Sequence, residues 1–116
     1  MTVDVRILVH GFYILRSATG SAAFSLTLEA KGYQYGYSWA SATLPVLNLS
    51  GDAMDRYDNT KHLQFVMPVG ADPFLVRVSA KLRATAKSGG TLALGDFATG
   101  AGNYIKTTWV NTYSPD

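Results

Sequence analysis

The 116-residue sequence contains no cysteine, which excludes disulfide bonds, thiol catalysis and cysteine-ligated zinc and leaves the redox compartment undecided. It has one glutamate, Glu29, and two histidines, His10 and His62. The sequence therefore offers few residues for a hydrolase with paired carboxylates or for a histidine metal site. No nucleophile-elbow sequence is present. We predict that the protein is not an enzyme and needs no cofactor.

Long apolar runs are also missing. No stretch approaches the roughly 20 apolar residues that a membrane-spanning helix needs. The N-terminal segment, MTVDVRILVHGF, has no basic leader and no small-residue cleavage site. We expect no membrane span and no signal peptide, and the localisation stays open. The net charge of +2 at pH 7 is too small to indicate nucleic acid unless the cations are clustered.

What the sequence does contain is alternation of apolar and polar residues, the pattern of a half-buried β-strand. The clearest case is residues 74–87, FLVRVSAKLRATAK, where every even position is apolar and the odd positions after Leu75 are polar or cationic. We predict a long central strand here, with its apolar side facing the other apolar sets of the chain. Further strands are predicted over residues 2–10, 22–31, 62–69, 91–94 and 104–113.

The segments between these strands are predicted from their turn residues and composition. Gly11 interrupts the first strand, and Pro45 makes residues 41–50 an edge strand or an irregular segment. Residues 51–61 are the most polar stretch and are predicted to be a loop, with room for a short helical turn. Strands 62–69 and 74–87 are predicted to form a hairpin across a four-residue turn.

These segments predict a single all-β domain over residues 1–116, with seven or eight strands and no convincing helix. The expected arrangement is an antiparallel β-sandwich of immunoglobulin-like, C2-like or jelly-roll type, because two antiparallel sheets can bury their apolar faces against each other. A partly open barrel is the alternative. The strand connectivity cannot be read from the pattern.

The first candidate contact surface is the basic stripe, which consists of Arg77, Lys81, Arg83 and Lys87 on the polar side of residues 74–87. Such a row could meet an acidic protein surface or follow a phosphate backbone. It contains no aromatic side chain, unlike most binders of single-stranded nucleic acid, so we do not expect nucleic acid. A solvated strand face that discourages edge-to-edge pairing is the favoured interpretation.

The second candidate surface is the aromatic row, Tyr33, Tyr35, Tyr37 and Trp39, which alternation places on one face of a strand. The row could fill the core, form a protein interface or offer a platform for sugar rings. Three buried tyrosines would each need a hydroxyl partner, which makes full burial awkward.

Three carboxylates, Asp52, Asp55 and Asp58, fall within seven residues and are a weak candidate for a calcium site. Their spacing differs from that of an EF-hand loop, and Arg56 and Lys61 lie among them. An ordinary solvated loop is therefore favoured, and no metal is expected.

The function predicted from these features is a non-enzymatic structural or assembly module that binds protein partners, including itself as a homo-oligomer. A content rich in Ala, Thr, Gly and Ser without Cys suggests a small virion accessory protein, such as a capsid decoration or tail-associated protein of a bacteriophage, located in the virion. The alternative is a carbohydrate-binding β-sandwich that uses the aromatic row.

Overall fold

The computed structural model describes residues 1–18, 20–68, 73–99 and 102–113, and these contain seven β-strands. In chain order the strands are β1 Thr2–Arg16, β2 Ser21–Gln34, β3 Tyr37–Ser50, β4 Ala53–Val66, β5 Leu75–Lys87, β6 Leu92–Asp96 and β7 Tyr104–Tyr113. All pairings are antiparallel, and the strands form two sheets, which confirms the predicted sandwich. The body is elongated, at 57 × 26 × 24 Å. In the described part of the chain there is no helix long and apolar enough to cross a membrane.

Each sheet is organised around one central strand. In sheet A, β1 pairs with β4 along one edge, while β7 and β6 share its other edge end to end. In sheet B, β2 lies between β3 and β5. The two central strands follow each other in the chain but belong to different sheets, so the short connection after Arg16 crosses from one layer to the other.

The core consists of the inward-facing apolar residues of these two central strands, completed by the end of β4 and by Phe97. Alternate positions along a strand face the same way, so each apolar row falls on one side of its sheet. The buried members are Val3, Val5, Ile7, Val9, Leu15, Ala22, Phe24, Leu26, Leu28, Ala30, Leu63, Phe65, Met67 and Phe97.

The first strand continues through Gly11, contrary to the predicted interruption. Gly11 is buried, and a Cβ atom at this position would overlap the carbonyl oxygen of Asp96 and the ring of Phe97. The glycine therefore makes room for a core aromatic ring and does not end the strand.

The predicted polar loop at residues 51–61 is wrong, because these residues form most of β4. Within residues 53–61 all side chains are exposed except those of Ala53, Tyr57 and Lys61, which are half-buried, so the segment lacks the alternation of apolar and polar residues that identifies a strand. The strand is specified instead by a continuous fourteen-position ladder with β1. Pairing with a strongly apolar neighbour overrides a weak local signal.

The predicted hairpin of residues 62–69 and 74–87 is also wrong. β4 pairs with β1 in sheet A, and β5 pairs with β2 in sheet B, so the connection between them crosses the sandwich. The predicted turn at 70–73 lies mostly outside the described residues, as do the tail at 114–116 and part of the loop predicted at 95–103.

β5 is a long strand as predicted, but it lies at the edge of sheet B and not at its centre. Of its inward-facing residues, Val76 and Val78 are half-buried, while Ala80, Leu82 and Ala84 are exposed. The physical reason is that, among the described strands of sheet A, the one that comes closest to this part of β5 is β6, which has five residues. The predictions of β7 and of an edge strand containing Pro45 are confirmed.

We predict that Gly11→Ala lowers the free energy of unfolding by about 1–3 kcal/mol, because the added methyl group displaces the Phe97 ring or the Asp96 backbone. Urea unfolding followed by tryptophan fluorescence measures the change. The control is Gly89→Ala, at a turn position where a Cβ atom has open space. Equal stability of the two variants would contradict this account of Gly11.

Candidate functional site

The aromatic row does not lie along one strand, because the chain reverses within it. Tyr33 ends the apolar part of β2, Tyr35 and Gly36 form the turn, and Tyr37 and Trp39 begin β3. Both turn residues have positive φ, 55° at Tyr35 and 80° at Gly36, the backbone signature of a two-residue type I′ hairpin turn. The four aromatic residues therefore surround the tip of the hairpin, and we call this group the aromatic tip.

The aromatic tip is largely exposed. Tyr35 and Tyr37 are 68% and 70% exposed, and Trp39 is 52% exposed, while Tyr33 is half-buried. Trp39 lies at a register shift in the β2–β3 ladder, and its indole Nε1 donates a hydrogen bond of 2.9 Å to the backbone oxygen of Gln34. The bulge and this bond fix the indole beside the turn and leave much of its surface open.

A cleft of about 580 Å³ lies between the aromatic tip and the beginning of β5. Its walls include Tyr33, Gln34, Phe74, Leu75 and Arg77. The cleft therefore combines aromatic surface with an amide and a guanidinium group, and it can accept both apolar and hydrogen-bonding groups.

The basic stripe occupies the outward face of β5, as predicted, and it adjoins the aromatic tip. The guanidinium carbon of Arg77 lies 5.1 Å from the centre of the Tyr33 ring, a cation–π contact across the β2–β5 ladder. The structure therefore brings together two surfaces that the sequence pattern treats as separate. Their junction is the pair of Tyr33 and Arg77.

The outer face of sheet B is strongly positive. Its three strands contain five cationic residues and one carboxylate, Glu29, a net charge of +4. Glu29 lies 3.6 Å from Lys31. Within the described ranges, no carboxylate forms an ion pair with Lys81, Arg83 or Lys87.

The three candidate calcium ligands are not brought together. Asp52 lies at the β3–β4 turn and accepts a 2.7 Å hydrogen bond from the backbone N–H of Ser17, which lowers the pKa of this carboxyl group. Asp55 and Asp58 lie on β4, three residues apart in a strand, so their side chains leave on opposite faces. Among the described residues there is no group of three or more His, Asp or Glu side chains that could hold a metal ion.

An ion-pair network on the outer face of sheet A was not found from the sequence. The Nδ1 atom of His10 lies 2.8 Å from Oδ1 of Asp58, and Arg56 donates two hydrogen bonds, of 3.0 and 3.1 Å, to the same carboxylate. The Arg56 guanidinium also donates to the backbone oxygen of Gly102 and to Oδ1 of Asn103. The network therefore ties β1, β4 and the start of β7 together. It depends on cross-strand register, which the sequence alone does not reveal.

Hydrogen bonds from the Arg56 side chain, and next the hydrogen bond with His10, lower the pKa of Asp58 to about 2, with smaller contributions from the charges of these two groups. His62 forms a second, longer contact, with its Nδ1 atom 3.4 Å from Oδ1 of the buried Asp4. Both histidines thus face carboxylates across the β1–β4 ladder.

No protein-family model, no curated protein and no solved structure matches this chain.

We predict that Asp58→Asn changes the acid dependence of stability. The pKa of Asp58 is lower in the folded chain than in the unfolded chain, so its stabilising effect is complete above about pH 4 and is lost as the pH falls through about 2. The stability difference between wild type and Asp58→Asn should therefore shrink between pH 4 and pH 2, measured by urea unfolding at each pH.

The control for this experiment is Asp55→Asn, which removes a β4 carboxylate that accepts a bond from the Arg56 backbone and not from its guanidinium group. A difference between wild type and Asp58→Asn that stayed constant down to pH 2 would show that the ion pair does not stabilise the fold.

Proposed function

We propose that the protein is a non-enzymatic assembly module that binds protein partners, including further copies of itself, through the aromatic tip and the surface around it. The observation that supports this most directly is the position of the exposed large apolar side chains. Most of them lie at one end of the elongated body: Tyr35, Tyr37, Trp39, Val66, Leu75, Val110 and Tyr113.

The β-ladders place these residues at the same end. Val66 and Tyr113 both pair opposite Thr2, at the start of β1. Tyr33 pairs opposite Leu75. The backbone oxygen of Met67 accepts a hydrogen bond from the N-terminal amine, and the Met67 side chain packs against Gly32 of β2. Met67 thus connects this end of sheet A to the aromatic tip on sheet B. Clusters of exposed apolar residues, and Tyr and Trp in particular, are typical of protein interfaces.

The finer proposal is a small virion accessory protein, a capsid decoration or tail-associated protein of a bacteriophage. It is supported by the composition, rich in Ala, Thr, Gly and Ser and without Cys, and by a strand-built body suited to stoichiometric attachment. In this setting the partner would be a shell or tail protein, and the assembled form would be a symmetric oligomer.

We predict that Tyr37→Ser lowers the self-association constant by at least about tenfold, because it removes a central aromatic contact. Sedimentation equilibrium measures the association constant. The matched control is Met54→Ser, which removes an equally exposed apolar side chain, 70% in both cases, at the opposite end of the body. A wild-type protein that stays monomeric at high concentration, with no large partner recovered alongside it, would count against the proposal.

Carbohydrate binding is the second candidate function. The cleft beside the aromatic tip offers the half-buried ring of Tyr33, the Gln34 amide and the Arg77 guanidinium within one concave surface. Aromatic rings that stack on sugars and polar groups that bind hydroxyls are the elements that such a site needs.

If glycans stack on the aromatic tip beside the cleft, Trp39→Ala should weaken binding by about tenfold while leaving the fold intact, because the indole is half exposed and buries little core surface. A glycan array followed by calorimetry on any hit tests this expectation. An array without signal, or a hit whose affinity is unchanged in Trp39→Ala, would remove this candidate.

A further inference from the structure

The two long sides of the sandwich are built differently. On one side the Gly51–Asp52 turn joins β3 directly to β4, and the two sheets are held together there. On the other side, among the described strands of sheet A, β5 makes its closest approach to the short β6. No described strand pairs with the outer edge of β5, so the backbone groups along Leu75–Lys87 on that edge have no ladder partner.

The open side leaves an apolar surface uncovered. Ala80 and Leu82 on the inward face of β5 form one wall of a cleft of about 790 Å³, and Leu94, Phe97 and Ile105 lie across it. Leu82 is 41% exposed although it lies in register with the fully buried Leu26. An inward-facing leucine that remains this exposed indicates that the sandwich is not complete along this side.

The outward face of the same strand segment carries cations without partners. Lys81 and Arg83 are separated by about 6.6 Å along the strand, from roughly 3.3 Å per residue. Neither they nor Lys87 meet a carboxylate in the described part of the chain. One strand segment thus presents a free backbone edge, an uncovered apolar side and an unpaired basic side.

We propose that β5 is the docking site for an extended segment of a protein partner whose residues alternate between apolar and acidic. Added as a further strand to sheet B, the segment pairs with the free edge, and its apolar residues enter the cleft beside Leu82. Its acidic residues then lie next to Lys81, Arg83 and Lys87 on the outer face. This inference rests on the proposed function, since it states what kind of protein partner the module takes.

Other occupants satisfy only part of these features. The β5 edge of a second copy would bring two basic rows side by side, and like charges on adjacent strands are destabilising. The β3 edge of a second copy contains no charged residue and would leave the basic row unpaired. A nucleic acid or another polyanion would contact the outer face alone and leave the cleft beside Leu82 open.

The test uses a fluorescently labelled peptide of about nine residues, a usual strand length, in which valine and glutamate alternate. Anisotropy titrations compare it with an alternating valine–lysine peptide and with a peptide of the same valine and glutamate content arranged in blocks. We expect the alternating valine–glutamate peptide to bind at least about tenfold more tightly than either control. Amide hydrogen exchange should show new protection along β5.

Two variants separate the apolar and the electrostatic contributions. Leu82→Gln should weaken peptide binding by about tenfold, whereas the control Met54→Gln, an exposed apolar residue of β4 that does not line the cleft, should not. The double variant Lys81→Glu, Arg83→Glu should lose the valine–glutamate peptide and gain the valine–lysine peptide. Each variant must keep the wild-type unfolding midpoint within a few degrees for its result to be used.

Three results would overturn the inference. Equal binding of the alternating and block peptides would show attraction of charge without strand pairing. Binding that is insensitive to Leu82→Gln and is matched by heparin or duplex DNA would show a polyanion surface. Peptide binding without new protection on β5 would place the contact elsewhere.

A variant of the aromatic tip distinguishes failure of this inference from failure of the proposed function. Tyr37→Ser should leave peptide binding unchanged while it reduces self-association. If the protein self-associates but does not bind the valine–glutamate peptide, only the inference about β5 is wrong. If it binds the peptide but does not self-associate, only the role proposed for the aromatic tip is wrong.

Discussion

Burial of two facing apolar rows, one on β1 and one on β2, is the contact on which the rest of the fold depends. The rows belong to the central strands of the two sheets, and their largest members, such as Ile7, Phe24 and Leu26, are almost completely buried. Each such side chain contributes about 1.5–3 kcal/mol relative to exposure. Every other strand is a neighbour of one of these two. The outer strands can therefore be polar, short or half-covered without loss of the sandwich.

This hierarchy explains which strands could be predicted from the sequence. β1, β2 and the last part of β4 contribute to the core, and burial of one face imposes strict alternation on them. Residues 53–62 form a strand only because β1 offers them a long edge, so they carry no pattern of their own. The position of β5 could not be predicted either. Its alternation is as regular as that of a central strand, and the exposure of Leu82 depends on how short β6 is.

The sequence predicts which residues form the two candidate surfaces but not how these residues are arranged in space. Alternation at 33–39 reads the same whether the segment is one strand or a hairpin, and only the positive φ of Tyr35 and Gly36 decides between them. The stacking of Arg77 on Tyr33 is set by the register of the β2–β5 ladder. The pairing of His10 with Asp58 is set in the same way by the β1–β4 ladder. Contacts between residues that are far apart in the chain are the hardest to predict from a single sequence.

The two free edges of sheet B are protected by different means, and the difference bears on function. β3 has no charged residue. Its obstacles to further pairing are Pro45, which cannot donate a backbone hydrogen bond, and the two register shifts in its ladder with β2. β5 has no proline and relies on four cations in its outward row. Charge is a selective barrier, since it repels a second basic strand and attracts an acidic one. An edge protected by charge alone, next to an uncovered apolar side, therefore disfavours self-pairing while remaining open to a partner of opposite charge.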